Sequence, residues 1–192
     1  MSASNPLPRW RGFNLLEKFT HDNSSKSATF PRANQPYREC DFEWIADWGF
    51  DFARLPLSYL CWSSPDNWRE MDEQVLSEID QAVEFGRQHG MHVSINLHRA
   101  PGFCINPPAE PFNLWKDSEP LEAFCLYWRT FAERYKGIGA EQLSFNLINE
   151  PRDPASNGDA EKMTRADYIR VMSAAAEAIR AVDPDRQIIV DG

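Results

Sequence analysis

Short apolar runs and longer one-sided apolar stripes alternate along this chain. The runs are GFNLL (residues 12 to 16), FDFARLPL (50 to 57), HVSINL (92 to 97), LSFNLI (143 to 148) and QIIV (187 to 190). Their length and apolar content predict strands. Between them apolar residues recur at helical spacing, at Val75, Leu76, Ile79, Ala82, Val83 and Gly86, and again at Leu121, Phe124, Cys125, Trp128, Phe131, Ala132 and Tyr135. A shorter helix covers Phe42, Ile45, Ala46 and Gly49. A further one is predicted to start at Thr164 as N-cap, with Asp167 placed as in a capping box, and to run through Tyr168, Val171, Met172, Ala175, Ile179 and Val182 to a stop at DPD. The order βαβαβαβαβ implies parallel strands joined by right-handed helical crossovers.

Two parallel architectures fit that order, the open doubly wound sheet and the (β/α)8 barrel. A nucleotide-binding open sheet carries a glycine-rich turn after its first strand; here LLEKFTHDNSSKS follows, with neither G-x-G-x-x-G nor a Walker A motif. The segments after the strands are long and hold CWSSPDNW and RAPGFCINPPAEPFNLW, rich in Trp, Pro and Asn, as on the functional C-terminal face of a barrel. The better reading is an α/β (β/α)8 TIM barrel of which residues 1 to 192, a single domain, cover about strands one to five. Closing it needs roughly 130 to 170 further residues.

Composition narrows the function. A chain 42% hydrophobic and 26% charged buries a sizeable core, and a net charge of −9 argues against nucleic acid as a partner. Cys40, Cys61, Cys104 and Cys125 form no C-x-x-C pair, so they read as free thiols and no metal is expected. No cofactor is implied. MSASNPLPRWRGF lacks an apolar leader core and no later stretch is long and apolar enough to span a bilayer. As written the chain is expected in the cytoplasm, or secreted if a leader has been removed.

Parity within the strands points to a site. Ser144, Asn146, Ile148 and Glu150 share one face of their strand, and His92, Ser94, Asn96 and His98 share one face of theirs. The greasier faces are expected to pack on helices, so Glu150 and His98 converge at the top of the barrel interior. Strict alternation turns Asn149 outward; for it to face the pocket, the strand must bulge or break there, in keeping with Pro151.

NEP at the end of an apolar strand, RLP in strand two, NLH in strand three and RGFNL in strand one together resemble the clan A glycoside hydrolases, most closely family 5, the cellulase-like family. The resemblance runs from about Trp10 to Gly192. It implies an eight-stranded barrel and retaining hydrolysis of β-linked glycosides, as in an endoglucanase. Within it Glu150 would be the acid/base, Asn149 would bind the sugar 2-hydroxyl, and Arg54 and His98 would support the nucleophile and the sugar. Retaining hydrolysis needs a second carboxylate roughly 5 Å from the acid. The family's nucleophile lies at the end of strand seven; neither Glu17 nor Asp191 matches that position by motif, so the nucleophile is expected beyond residue 192 and this segment alone is expected to be inactive. Trp62 and Phe103, with Trp68 and Trp115, lie in the loops above, where flat rings either stack on sugars or pack the loops onto the barrel. Other readings are a sugar-binding barrel without catalysis, and a half-barrel that assembles with another chain.

Overall fold

The computed structural model describes residues 8–21, 31–152 and 163–191. In chain order the elements are β1 (Gly12–Asn14), α1 (Glu39–Asp47), β2 (Phe52–Ser58), α2 (Glu73–Gln88), β3 (His92–Ala100), β4 (Phe103–Cys104), α3 (Ser118–Arg134), β5 (Leu143–Asn146), α4 (Arg165–Arg180) and β6 (Gln187–Ile189). A 3-10 turn, Tyr59–Cys61, follows β2. The strands run parallel in the order β1-β2-β3-β5-β6, while β4 folds back antiparallel on the end of β3. Each new strand is added beside the last without reversal. A doubly wound sheet turns back at a switch point, so this order is that of consecutive barrel strands.

The expected parity holds. Ala53, Leu55 and Leu57 of β2, Val93, Ile95 and Leu97 of β3, and Leu143 and Phe145 of β5 are fully buried. The Phe145 ring packs against Trp128 and Tyr135, which ties this apolar face to α3 and its flank. Burying each such large side chain stabilises the fold by roughly 1.5 to 3 kcal/mol. α2 approaches β3 closely because residue 86 is glycine: a Cβ there would stand 2.2 Å from Val93 Cγ2. At the bottom, the buried Arg186 donates to the carbonyls of Leu143 (2.9 Å), Tyr135 (3.0 Å) and Ile138 (2.8 Å), stitching the end of α3 to the start of β5. At α4, Thr164 and Asp167 form the expected capping box. Among the described residues no helix is long and apolar enough to cross a membrane.

Several strand ends differ from expectation, two of them for a visible reason. β3 runs on to Ala100 because Arg99 and Ala100 pair with β4. β5 stops at Asn146, short of the expected end, because its pairing changes partner over the next residues. Pro56 sits within β2 without disrupting the sheet: the flanking Arg54 O and Ser58 N bond on the β1 side, to Leu15 N and Lys18 O, so the missing N–H faces the gap where β1 diverges.

Candidate active site

Register stacks polar side chains in layers on the inner face. Asn14 pairs with Arg54, Arg54 with Ser94, and Ser94 with Ser144; one layer higher, Asn96 pairs with Asn146, and Asn146 with Ile189. Two residues further along their strands come His98 and Asp191, on the same face. The polar ends of four strands therefore meet at the upper rim.

Asn149 joins them by the break that its sequence position required. Leu147 N–H bonds to Ile189 O of β6, and regular alternation would send the next odd residue the same way. Instead Asn149 N–H turns to Leu97 O of β3 at 3.2 Å. That rotation brings its side chain inward, where Asn149 Oδ1 accepts from Arg54 Nη2 at 2.8 Å. Asn149 Nδ2 is buried without a well-formed hydrogen bond, and the Asn149 side chain lies against His98. Glu150 then adopts a left-handed backbone, φ 45°, and carries its carboxyl group out to solvent. A non-glycine residue in that region stores strain, which persists only where neighbours hold it.

Arg54 is the hub. Its Nε and Nη2 donate to Asn146 Oδ1 at 3.3 and 3.0 Å, and Nη1 reaches Asn14 Oδ1 at 3.4 Å. Burial pulls the guanidinium below its ordinary pKa, opposed by the charges of Asp191 and Glu150. It remains a cation. Asn146 Nδ2 donates to Asp191 Oδ1 at 2.8 Å, and Glu150 N–H donates to Asp191 Oδ2 at 3.2 Å. His98 is half-buried, with Nε2 2.6 Å from Asn106 Oδ1. Burial holds its pKa below the usual histidine value; the Arg54 cation lowers it further, while the Asn106 bond, the Glu150 charge and a bond with the Asn149 side chain act the other way. His98 is therefore the neutral imidazole near neutral pH.

The loop aromatics correct an expectation. Trp62 and Phe103 are only 2% and 3% exposed and present no face to a sugar. Trp62 packs edge-on against Tyr127 and Phe131 of α3, and Phe103 against Trp115. Trp68 and Trp115 are buried as well. All four pack the loops onto the helices. The aromatic that does stand at the site is Phe19, half-buried with its ring 4.5 Å from that of His98. Of the other expected site residues, the structure gathers Glu150, Asn149, Arg54 and His98 in one place and adds Asn14, Asn146, Asn106 and Asp191. Asp191 was legible by parity, two residues beyond Ile189 on the inner face, though no motif marks it.

The family model for cellulase, glycosyl hydrolase family 5, matches residues 18–192. The chain belongs to that family. Endoglucanase C of Acetivibrio thermocellus is 32% identical over 154 residues, covering 80% of this chain and 42% of its own length. Cellodextrinase A of Ruminococcus flavefaciens is 32% identical over 142 residues, covering 74% of this chain and 41% of its own. A crystal structure of a glycoside hydrolase superposes with TM-score 0.83 at 33% identity, over 95% of this chain and 53% of that one. Thermotoga maritima Cel5A, solved in complex with cellobiose, shares the fold with TM-score 0.68 at 20% identity, over 94% of this chain and 50% of that one. The chain thus spans about half the length of these family 5 relatives, and its sheet is the N-terminal part of their (β/α)8 barrel.

Proposed function

We propose that this chain supplies the acid/base side of a retaining β-glycoside hydrolase site, with β-linked glucan oligo- or polysaccharide as substrate. Glu150 is the general acid that protonates the leaving oxygen and then, as base, activates the water. Asn149 binds the sugar 2-hydroxyl through its amide, while Arg54 holds Asn149 and keeps a neighbouring carboxylate charged. Neutral His98 braces Asn149 from the side, and Phe19 offers an aromatic ring to the same sugar. The nucleophile comes from a later barrel strand, and the segment of residues 1 to 192 alone is inactive.

The observation that carries this reading is the break after β5, which turns Asn149 into the site and exposes the Glu150 carboxyl group beside it, in a chain of family 5. The glucan preference is supported by the relatives' names, Endoglucanase C and Cellodextrinase A, and by the cellobiose complex of Thermotoga maritima Cel5A. The test is Glu150→Gln in the whole protein. Turnover of a cello-oligosaccharide should fall by about 10² to 10⁴-fold, the scale of general-acid loss. An aryl β-cellobioside, whose leaving group needs little protonation, should suffer less in the glycosylation step. Unchanged turnover of the oligosaccharide would remove Glu150 from this role. A wild-type protein that binds the oligosaccharide without cleaving it would instead favour a sugar-binding barrel.

A further inference from the structure

The carboxylate of Asp191, just past β6, touches two neighbours that answer to the same site. Oδ1 accepts from Asn146 Nδ2 at 2.8 Å, and Oδ2 accepts from the backbone N–H of Glu150 at 3.2 Å. Its own carbonyl accepts from the Tyr168 hydroxyl of α4, which ties the residue to the helix behind it. We propose that Asp191 is a positioning residue that sets Asn149 and Glu150 together, one through a relay and the other directly. This rests on the assignment of Glu150 as the acid/base.

The relay follows from donor and acceptor types. Asn146 has one acceptor oxygen and one donor nitrogen at its tip. Asp191, which only accepts when ionised, takes the nitrogen, and so the oxygen must face Arg54, which only donates. Arg54 is thereby fixed with Nη2 on Asn149 Oδ1, and that contact sets which way round the Asn149 amide sits, with Nδ2 on the other side. Reversing the Asn146 amide would set nitrogen against guanidinium and oxygen against carboxylate, two repulsive contacts in place of two attractive ones.

The direct arm acts on Glu150. Its left-handed backbone is unfavourable for a residue with a side chain, and the bond from its N–H to Asp191 Oδ2 opposes a flip of the preceding peptide to a relaxed conformation. Holding φ in that region fixes the direction of the Glu150 Cα–Cβ bond and with it the place of the carboxyl group. Among the described residues, Arg54 feels the Asp191 charge, Glu150 bonds it through its backbone, and the Tyr168 hydroxyl lies against it from α4. Asp191 thus counterbalances the Arg54 cation and needs no proton transfer of its own to act.

The experiment compares wild type, Asp191→Asn, Asp191→Ala and Glu150→Gln in the whole protein, with a cello-oligosaccharide and an activated aryl β-cellobioside. Asp191→Asn is isosteric, yet its amide cannot accept from both Asn146 and Glu150. Its kcat on the oligosaccharide should fall about 10²-fold, the scale of a misplaced group, with KM changed far less. Glycosylation by the aryl substrate should fall much less, reproducing in smaller measure the leaving-group selectivity of Glu150→Gln. Amide exchange at Glu150 should quicken in both Asp191 variants. Equal losses on both substrates, or unchanged exchange at Glu150, would overturn the positioning role. If Glu150→Gln itself shows no leaving-group selectivity, the acid/base assignment fails instead. If Asp191→Ala does not fold, the isosteric variant still decides.

Discussion

His92 and His98 sit at the two ends of β3, on the same face of the sheet, and both are held below the usual histidine pKa chiefly by burial. Their surroundings differ. His92 has both ring nitrogens engaged, Nδ1 with Glu141 O at 2.9 Å and Nε2 with Ser144 Oγ at 2.8 Å. Its ring is stacked on Trp10, centroid to centroid 3.6 Å, and lies parallel to Phe52. His98 has Nε2 on a loop asparagine, an aromatic ring to one side, and charged Arg54 and Glu150 close enough to act on it. At the lower end of the sheet His92 has its ring nitrogens satisfied within the protein. The upper end keeps groups without a well-formed partner, His98 Nδ1 and Asn149 Nδ2 among them. On one strand, then, saturation of hydrogen-bonding capacity distinguishes the two histidines.

The sharpest way to break that contrast is Arg54→Lys, at the centre of the upper end. Lysine offers a point charge and cannot bond Asn146, Asn149 and Asn14 at once. Activity of the whole protein on a cello-oligosaccharide should fall by about 10²-fold, as for a misplaced catalytic group, while the thermal midpoint moves only slightly. A large fall in midpoint with specific activity preserved would make the upper cluster structural, like the lower one.

The next effect separates the two histidines. His92→Ala strips the Trp10 and Phe52 stack and leaves Ser144 Oγ and Glu141 O without their partner, so it should destabilise the protein by about 2 kcal/mol. The folded fraction should keep its kcat. His98→Ala should do the reverse, lowering activity roughly 10-fold with little loss of stability. Denaturant unfolding followed alongside kinetics reads both, and matching behaviour of the two variants would dissolve the distinction.

Much of this was legible in the chain. The period-two pattern of HVSINLH and LSFNLINE placed the apolar residues on the helices and the polar ones inside, and the structure agrees. The break at Asn149 was foreseeable because an inward Asn149 contradicts alternation. The loop aromatics were not legible: whether Trp62 faces a sugar or Tyr127 and Phe131 depends on where α3 packs, a long-range contact with no local signature. Asp191 carries no motif, and only its parity with Ile189 marks it. A carboxylate two residues past an inward strand position faces inward whatever sequence surrounds it.

The smallest effect expected concerns pH, and it bears on what the two histidines share. Both are held neutral by burial, so their folded pKa values lie below the ordinary value of about 6.5 that each regains on unfolding. As pH falls through about 6.5, the unfolded chain takes up protons that the folded protein refuses, and stability declines until the lower folded pKa is reached. Above that range the histidines contribute nothing further to the slope. For His92 the depression comes first from desolvation and is deepened by the Arg186 cation, while the bond to Glu141 O and the charges of Asp51 and Glu141 act against it. His92→Phe keeps the ring stack but removes the titrating group. The loss of midpoint between about pH 7 and pH 5 should therefore be smaller in His92→Phe than in wild type, by at most about 1.4 kcal/mol for each unit of pKa depression removed. Carboxylates on the surface titrate equally in both proteins, so the difference between the two curves isolates the histidine. Parallel curves would mean that burial at the base of β3 does not hold His92 neutral, and the likeness between the two ends of the strand would fall away along with their contrast.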